Sequence, residues 1–172
     1  MLNPIMEAIY GRRSVRRYQS RGVEREKLEA VLDAAFHGPS ARNLQPWHFT
    51  VIEDPGLIGE LEEGVRRAES NPQMRVFHGA PVVILVSGHQ ENHWNQIDCG
   101  LATENLLLAA YSLGLGSCVV GFVMRYLNQS AAAETLEKMQ IPEGFCPLYA
   151  VALGYPEEEP DARPREQKVN WL

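Results

Sequence analysis

Residues 12 to 18, RRSVRRY, place four arginines in seven positions, and Arg21 follows closely. Five of the 16 Lys and Arg residues therefore stand between Arg12 and Arg21 with no acidic residue among them, in a chain of formal net charge −6. Forked donors at Arg12, Arg13, Arg16 and Arg17 suit a phosphate, and a guanidinium also stabilises negative charge that develops on a ring system. Ser14 adds a hydroxyl donor. The competing reading is a solvated basic turn capping the preceding helix, whose dipole favours cations at its C-terminal end. The segment alone does not choose between the two. A second basic group, Arg163, Arg165 and Lys168 in ARPREQK, reads by itself as a polar tail kept extended by Pro164.

The stretch GPSARNLQPWHF, residues 38 to 49, is a Pro-Ser loop with Asn43 and Gln45 that leads into Pro46 and Trp47. Such a loop can offer backbone and amide groups to a flat polar ligand beside an aromatic surface. Pro46 and Trp47 can equally do no more than open a strand and fill the core.

Other chemistry has less support. His89 and His93 in HQENH are four apart, a metal-binding spacing on a helix, but the glutamate that a zinc protease needs after the first histidine is absent. A polar loop or helix cap is the better reading. His37, His48 and His78 have no Ser or Cys partner at an interpretable spacing, so neither a hydrolase triad nor any protein nucleophile or acid is assigned. GLGSC, residues 114 to 118, follows a helix and lacks the third glycine of a dinucleotide fingerprint, which leaves a tight turn. Glu157, Glu158 and Glu159 read as a solvated acidic face of the tail. Cys99, Cys118 and Cys146 are odd in number and widely spaced, which disfavours a disulfide framework or a Cys-based zinc site and fits a reducing cytosol.

The elements that must position these groups follow from periodicity. Pro4 after Asn3 opens a short helix ending near Gly11, directly before the arginines. From 24 to 37, Leu28, Val31, Leu32, Ala35 and Phe36 recur on one helix face, and Gly38-Pro39 stops it. WHFTVIE, 47 to 53, reads as a strand and 57 to 68 as a helix. APVVILVSG, 80 to 88, is a continuous apolar run, the pattern of a strand covered on both faces. From 97 to 113 the chain is apolar nearly all round, implying a helix with several neighbours and a subunit interface. GSCVVGFV is a short strand ending at Gly121, 131 to 139 a helix, and PLYAVALGYP, 147 to 156, the last strand before an extended tail from 156 to 172. Alternating strands and helices predict an α/β or α+β three-layer domain over residues 1 to 172.

The acidic balance argues against a protein that coats nucleic acid. No apolar run reaches the roughly 18 residues of a membrane span, and the N-terminus lacks the basic start and apolar stretch of a signal peptide. A cytoplasmic location is expected.

Taken in order, RRSVRRY after a first helix, PSARNLQPWHF, APVVILV, DCGLATENLLLAAYSLGLGSCVVGF and LGYPEEEPDARPR resemble the nitroreductase family of flavoproteins over nearly the whole chain. That resemblance implies an α+β fold: a three-layer α/β/α sandwich around a central mixed, mostly antiparallel sheet. It implies non-covalent FMN at the interface of an intertwined homodimer, with NADH or NADPH as electron donor. By match to the family's pattern, Arg12, Arg13 and Ser14 contact phosphate and ribityl groups, and Arg16 is the cation near flavin N1 and O2. Pro39, Ser40, Ala41, Asn43 and Gln45 reach the flavin from the other subunit. Gly121 presents its backbone N–H to flavin N5, Val119 and Val120 line the ring, Asn71 stands near it, and Arg163 and Arg165 are the C-terminal phosphate pair. The implied activity is ping-pong reduction of flat acceptors such as nitroaromatics, quinones or flavins. Alternatives are a specialised flavin enzyme on the same scaffold, such as a reductive dehalogenase, or a non-catalytic binder of flavin or a phosphorylated ligand. The chain is short for the family, so residues 70 to 79 and 122 to 130 are the segments expected over the ring.

Overall fold

The computed structural model describes residues 3–172, so Met1 and Leu2 of the expected domain lie outside it. Helix α1 (Pro4–Gly11) starts where Asn3 Oδ1 accepts the Met6 N–H at 3.0 Å and Pro4 occupies the first turn. Helix α2 (Arg25–Phe36) buries Leu28, Val31 and Ala35, the face that the periodicity marks. Strand β1 (Trp47–Ile52) leads through the Asp54 cap into α3 (Pro55–Ala68). Strand β2 (Val82–His89) follows, then α4 (Asn95–Ser112), β3 (Gly116–Val120), the short α5 (Val123–Leu127) and α6 (Ala133–Lys138), and finally β4 (Phe145–Gly154).

The four strands are ordered β1-β2-β4-β3, and each neighbouring pair is antiparallel. The parallel element is an isolated bridge between Ser14 and Ser117, at the outer edge of β3. One face of the sheet packs on α3, α5 and α6 through Leu61, Val65, Phe77, Val83 and Leu85. The other packs on α2 and α4 through Leu28, Val31, Ile84, Val86 and Leu106. Two cores on one sheet make the three layers, and they explain why β2 carries apolar residues at successive positions.

Boundaries move where backbone chemistry overrides side-chain pattern. Strand β2 begins at Val82 rather than 80 because Pro81 has no N–H to give a ladder. Strand β4 runs 145–154, since Tyr155 and Pro156 leave the sheet to pair with residues 18 and 19. The expected helix over 131–139 divides into a 3-10 turn at Ser130–Ala132 and α6. Helix α4 is two-sided: Cys99, Ala102, Thr103, Leu106, Leu107 and Ala110 are buried, while Ile97, Leu101 and Tyr111 are exposed along its outer stripe.

At Gly38 the end of α2 comes so close to α4 that a Cβ would lie 2.7 Å from the Ala102 Cα. The Ala102 Cα, and its N at 3.0 Å, are backbone atoms that cannot swing away. Gly38→Ala should therefore cost ~1–3 kcal/mol by overpacking. Gly59→Ala, inside α3 with nothing within 4 Å of the added methyl, should gain ~0.5–1 kcal/mol from helix propensity. Denaturant melts of the two variants test this; equal effects would show that the α2–α4 approach is not tight.

Candidate functional site

After α1 the chain is stitched between β3 and the start of the tail. The Val15 N–H donates to the Ser117 carbonyl at 3.0 Å, the Gln19 N–H to the Tyr155 carbonyl at 2.9 Å, and the Glu157 N–H to the Arg17 carbonyl at 2.9 Å. Val15 and Tyr18 are buried, and the Tyr18 hydroxyl donates to the Val15 carbonyl at 2.8 Å. Burying those two side chains turns the arginines between them outward.

Five arginines, Arg12, Arg13, Arg16, Arg163 and Arg165, line a cleft of about 510 Å³ together with Ser14 and Asp161. Their present engagements differ. Arg13 Nη1 donates to the Tyr10 carbonyl at 2.6 Å, so it caps α1 as well as lining the cleft. Arg12 stands 3.9 Å from Glu104 of α4, and Arg16 Nη1 reaches the Ser14 carbonyl at 3.4 Å. Among the described residues, Arg163 and Arg165 have no hydrogen-bond or ion-pair partner. Guanidiniums gathered around one cleft repel, and an anion among them lowers that energy. Arg17 and Arg21 serve elsewhere, the first near Glu157 and the second 3.2 Å from the centroid of the Tyr155 ring.

The loop 39–45 is preorganised. Its Ala41 N–H faces both carboxylate oxygens of buried Asp98 at 3.2 Å, Ser40 Oγ accepts the Gln45 N–H at 3.0 Å, and Asn43 Oδ1 accepts from Gln45 Nε2 at 2.9 Å. Arg42, Asn43 and Gln45 all have positive φ, a strain that these bonds hold in place. The structure does not bring this loop to the arginine cleft within one chain. Trp47 pairs with Gly88 at one end of edge strand β1, whereas Ser14 bridges Ser117 near the opposite end of edge strand β3. Three interstrand steps of ~4.8 Å separate the two edges.

Beside the cleft, Val119 is 45 % exposed but Val120 only 4 %. Strand alternation turns the Val120 side chain into the core on the α3 face, which leaves its backbone for a ring there. A Cβ on Gly121 would meet nothing within 4 Å, which leaves its backbone open to a ligand. Asn71 is exposed in the turn after α3, and its Oδ1 accepts the Gln73 N–H at 3.2 Å. Residues 70–79 are anchored to α3, where Arg66 Nε donates to the Met74 carbonyl and Glu62 Oε1 accepts the Phe77 N–H.

Burial lowers the proton affinity of His78, with the Arg16 and Arg75 guanidiniums adding to the effect. Burial alone lowers that of His48, whose Nδ1 has no partner among the described residues. The Cys99 and Cys118 thiols are poor nucleophiles: burial pushes Cys99 up to about 12 and raises Cys118 despite Arg16 and Arg12 nearby. His89 lies edge-on to Phe145 with centroids 5.1 Å apart.

The sequence profile described as the nitroreductase family matches residues 9–155. The chain belongs to this family. A Methanothermobacter thermautotrophicus protein provisionally named NADH dehydrogenase/NAD(P)H nitroreductase is 37 % identical over 164 residues, which are 92 % of this chain and 81 % of that one. The structure of a Bacteroides fragilis nitroreductase with bound FMN superposes with a TM-score of 0.88 at 28 % identity, covering 99 % of this chain and 98 % of the other. A nitroreductase with bound FMN from Desulfitobacterium hafniense gives 0.89 at 26 % identity, with both chains covered in full.

Within this nitroreductase-family chain, sequence reading passed over Asp98 and Glu104 and took Glu158 as part of a solvated run. Asp98 falls on the stripe of α4 that also holds Cys99, Ala102, Leu106 and Ala110, a charged residue on an apolar face that could have marked it. The acidic run from 157 is not simply solvated, because Glu158 accepts the Arg16 N–H at 2.6 Å and Glu157 lies 3.9 Å from Arg17.

The two histidines set a pH dependence. Each binds a proton less readily folded than unfolded, so below the ordinary value of 6.5 the unfolded chain takes up protons that the folded chain refuses. Stability should therefore rise as pH climbs through about 5 to 7 and level off above it. His48→Gln and His78→Asn should each flatten the slope of melting temperature against pH. A wild-type melting temperature that falls across this window would contradict the assignment.

Proposed function

We propose that this protein is an FMN-dependent oxidoreductase that uses NADH or NADPH to reduce flat acceptors such as nitroaromatics, quinones or flavins in two half-reactions. The observation that carries the reading is the cleft lined by Arg12, Arg13, Arg16, Arg163 and Arg165. Membership of the nitroreductase family and FMN-containing structural relatives support it. FMN, when bound, supplies a ring that accepts hydride from the nicotinamide and passes electrons to the acceptor.

The chain's own residues fit that cofactor. Arg12, Arg13, Arg163 and Arg165, with the Ser14 hydroxyl, offer forked donors to a dianionic phosphate. Arg16, on the same cleft, holds positive charge for the ring's pyrimidine end. Gly121 leaves backbone free where a ring approaches, and exposed Val119 offers an apolar face. No protein acid, base or nucleophile is assigned to the transfer, so the protein's part is to bind, orient and exclude water.

Loop 39–45 completes this site only if it comes from a second copy, since it lies at the far edge of its own sheet. An intertwined homodimer is therefore part of the reading. The exposed stripe Ile97, Leu101 and Tyr111 on α4, with Ile5, Ile9 and Tyr10 on α1, supplies an apolar surface for it. Among the described residues β1 has an outer edge without a strand partner, and the extended tail carries Trp171 at 93 % exposure. No helix of the described residues is long and apolar enough to cross a membrane, and the three free cysteines fit a cytoplasmic unit formed by the whole chain.

Purified protein should be yellow, release FMN on heating and bleach anaerobically with NADH or NADPH; bound flavin that neither nucleotide reduces would instead support a non-catalytic binder. Arg12→Ala and Arg165→Ala should each weaken FMN binding about 10- to 100-fold, the loss expected for one charge-assisted hydrogen-bond partner. Unchanged affinity in both would remove the cleft from the site. Sedimentation should give a dimer, and Leu101→Lys should reduce dimerisation and FMN occupancy together; a monomer holding full FMN would overturn the shared site.

A further inference from the structure

Next to the arginine cleft, in a cavity that Arg12 and Arg13 also line, stands a carboxylate whose position the binding of FMN does not explain. Glu158, half-buried at the start of the tail, accepts the backbone N–H of Arg16 at 2.6 Å from 142 positions away in sequence. Its neighbours fix where it sits. Tyr18 bridges Pro156, the Glu157 N–H donates to the Arg17 carbonyl at 2.9 Å, and Gln19 Nε2 donates to the Pro156 carbonyl at 3.1 Å. The tail thus runs alongside residues 16–19 as a short paired ribbon and delivers one carboxylate to the turn that carries Arg16. The negative field of Glu158 is felt at both Tyr18 and His78.

We propose that Glu158 is a positioning residue that sets the two-electron reduction potential of bound FMN by acting on Arg16. This rests on the FMN reading above. Hydride transfer from the nicotinamide adds two electrons and one proton to the ring, so net negative charge increases there and the nicotinamide leaves oxidised. The arginine turn favours that added charge, and Glu158 opposes it while holding the turn in place through the Arg16 N–H. A site with the arginines alone would bind reduced FMN too tightly relative to oxidised FMN, and would part with electrons less readily. The carboxylate moderates that bias without occupying the ring's place.

The test uses full-length FMN-loaded protein and reads the midpoint potential against a reference dye, the affinity for oxidised FMN, and the melting temperature. Glu158→Gln keeps an oxygen acceptor for the Arg16 N–H and removes the charge. It should raise the ratio of reduced to oxidised FMN affinity about tenfold, the scale of one unit charge removed from a partly solvated site, which for a two-electron couple is an upward shift of ~30 mV. Its melting temperature should stay near wild type. Glu158→Ala should raise the potential similarly and also lower the melting temperature, because the Arg16 N–H loses its partner. Glu159→Gln, a neighbouring acid with no bond to Arg16, should leave the potential where it was. A wild-type potential in both Glu158 variants, or an equal shift in Glu159→Gln, overturns the proposal while leaving the FMN reading intact. Wild-type protein that binds no FMN overturns both.

Discussion

Like charges concentrated on one turn are the constraint around which the rest of this molecule is arranged. Arg12, Arg13 and Arg16 share a cleft with Arg163 and Arg165, and a chain free to relax would spread such charges apart. It does not relax because the residues between them are spent on packing. Val15 and Tyr18 are buried, and backbone bonds tie the turn to Ser117 on one side and to residues 155–157 on the other. Hydrophobic burial and ladder-like hydrogen bonds therefore hold a charge distribution that electrostatics alone would disperse. The acidic partners Glu104, Glu157 and Glu158 offset the repulsion only in part. What is left is a preference for an anion, built into the folded state before any ligand arrives.

The sheet holds the two halves of the proposed site at opposite edges. In the order β1-β2-β4-β3, β3 lies at one edge beside the arginines and β1 at the other beside loop 39–45. The loop has its own anchor in Asp98, a buried carboxylate at the start of α4 that accepts from the Ala41 N–H. A buried carboxylate is stable only when hydrogen-bonded, so the loop and the helix start depend on each other. Loop 39–45 is thus tied down within its own chain, and an ordered loop suits a flat ligand better than a loose one because little ordering entropy remains to be lost on binding.

Much of this was legible in the chain, and the reasons differ by element. Strand β2 and helix α2 follow from periodicity because each buries a regular face against one core. The arginine turn was visible as composition, and the family resemblance joined it to Arg163 and Arg165 across some 150 residues of sequence. That the Val120 side chain turns into the core was not legible, because a motif match carries position along the chain, whereas the side of the sheet to which a residue turns depends on register. Glu158 was hidden for a related reason: three consecutive glutamates in a tail look solvated, and only the bridge between Tyr18 and Pro156 turns the middle one onto the Arg16 N–H.

Arg13 shows why the two readings of the arginine turn were never exclusive. It donates to the Tyr10 carbonyl at the end of α1, as a helix cap would, and it lines the cleft with the other arginines. A cap fixes the guanidinium in space without neutralising it, since a carbonyl oxygen carries only partial charge. A cation held this way keeps its long-range attraction for an anion and has already lost the side-chain entropy that binding would otherwise cost. The structural role of Arg13 therefore prepares the cleft for its ligand, and the same economy applies to Arg12 against Glu104, whose 3.9 Å separation steers the guanidinium without a close ion pair.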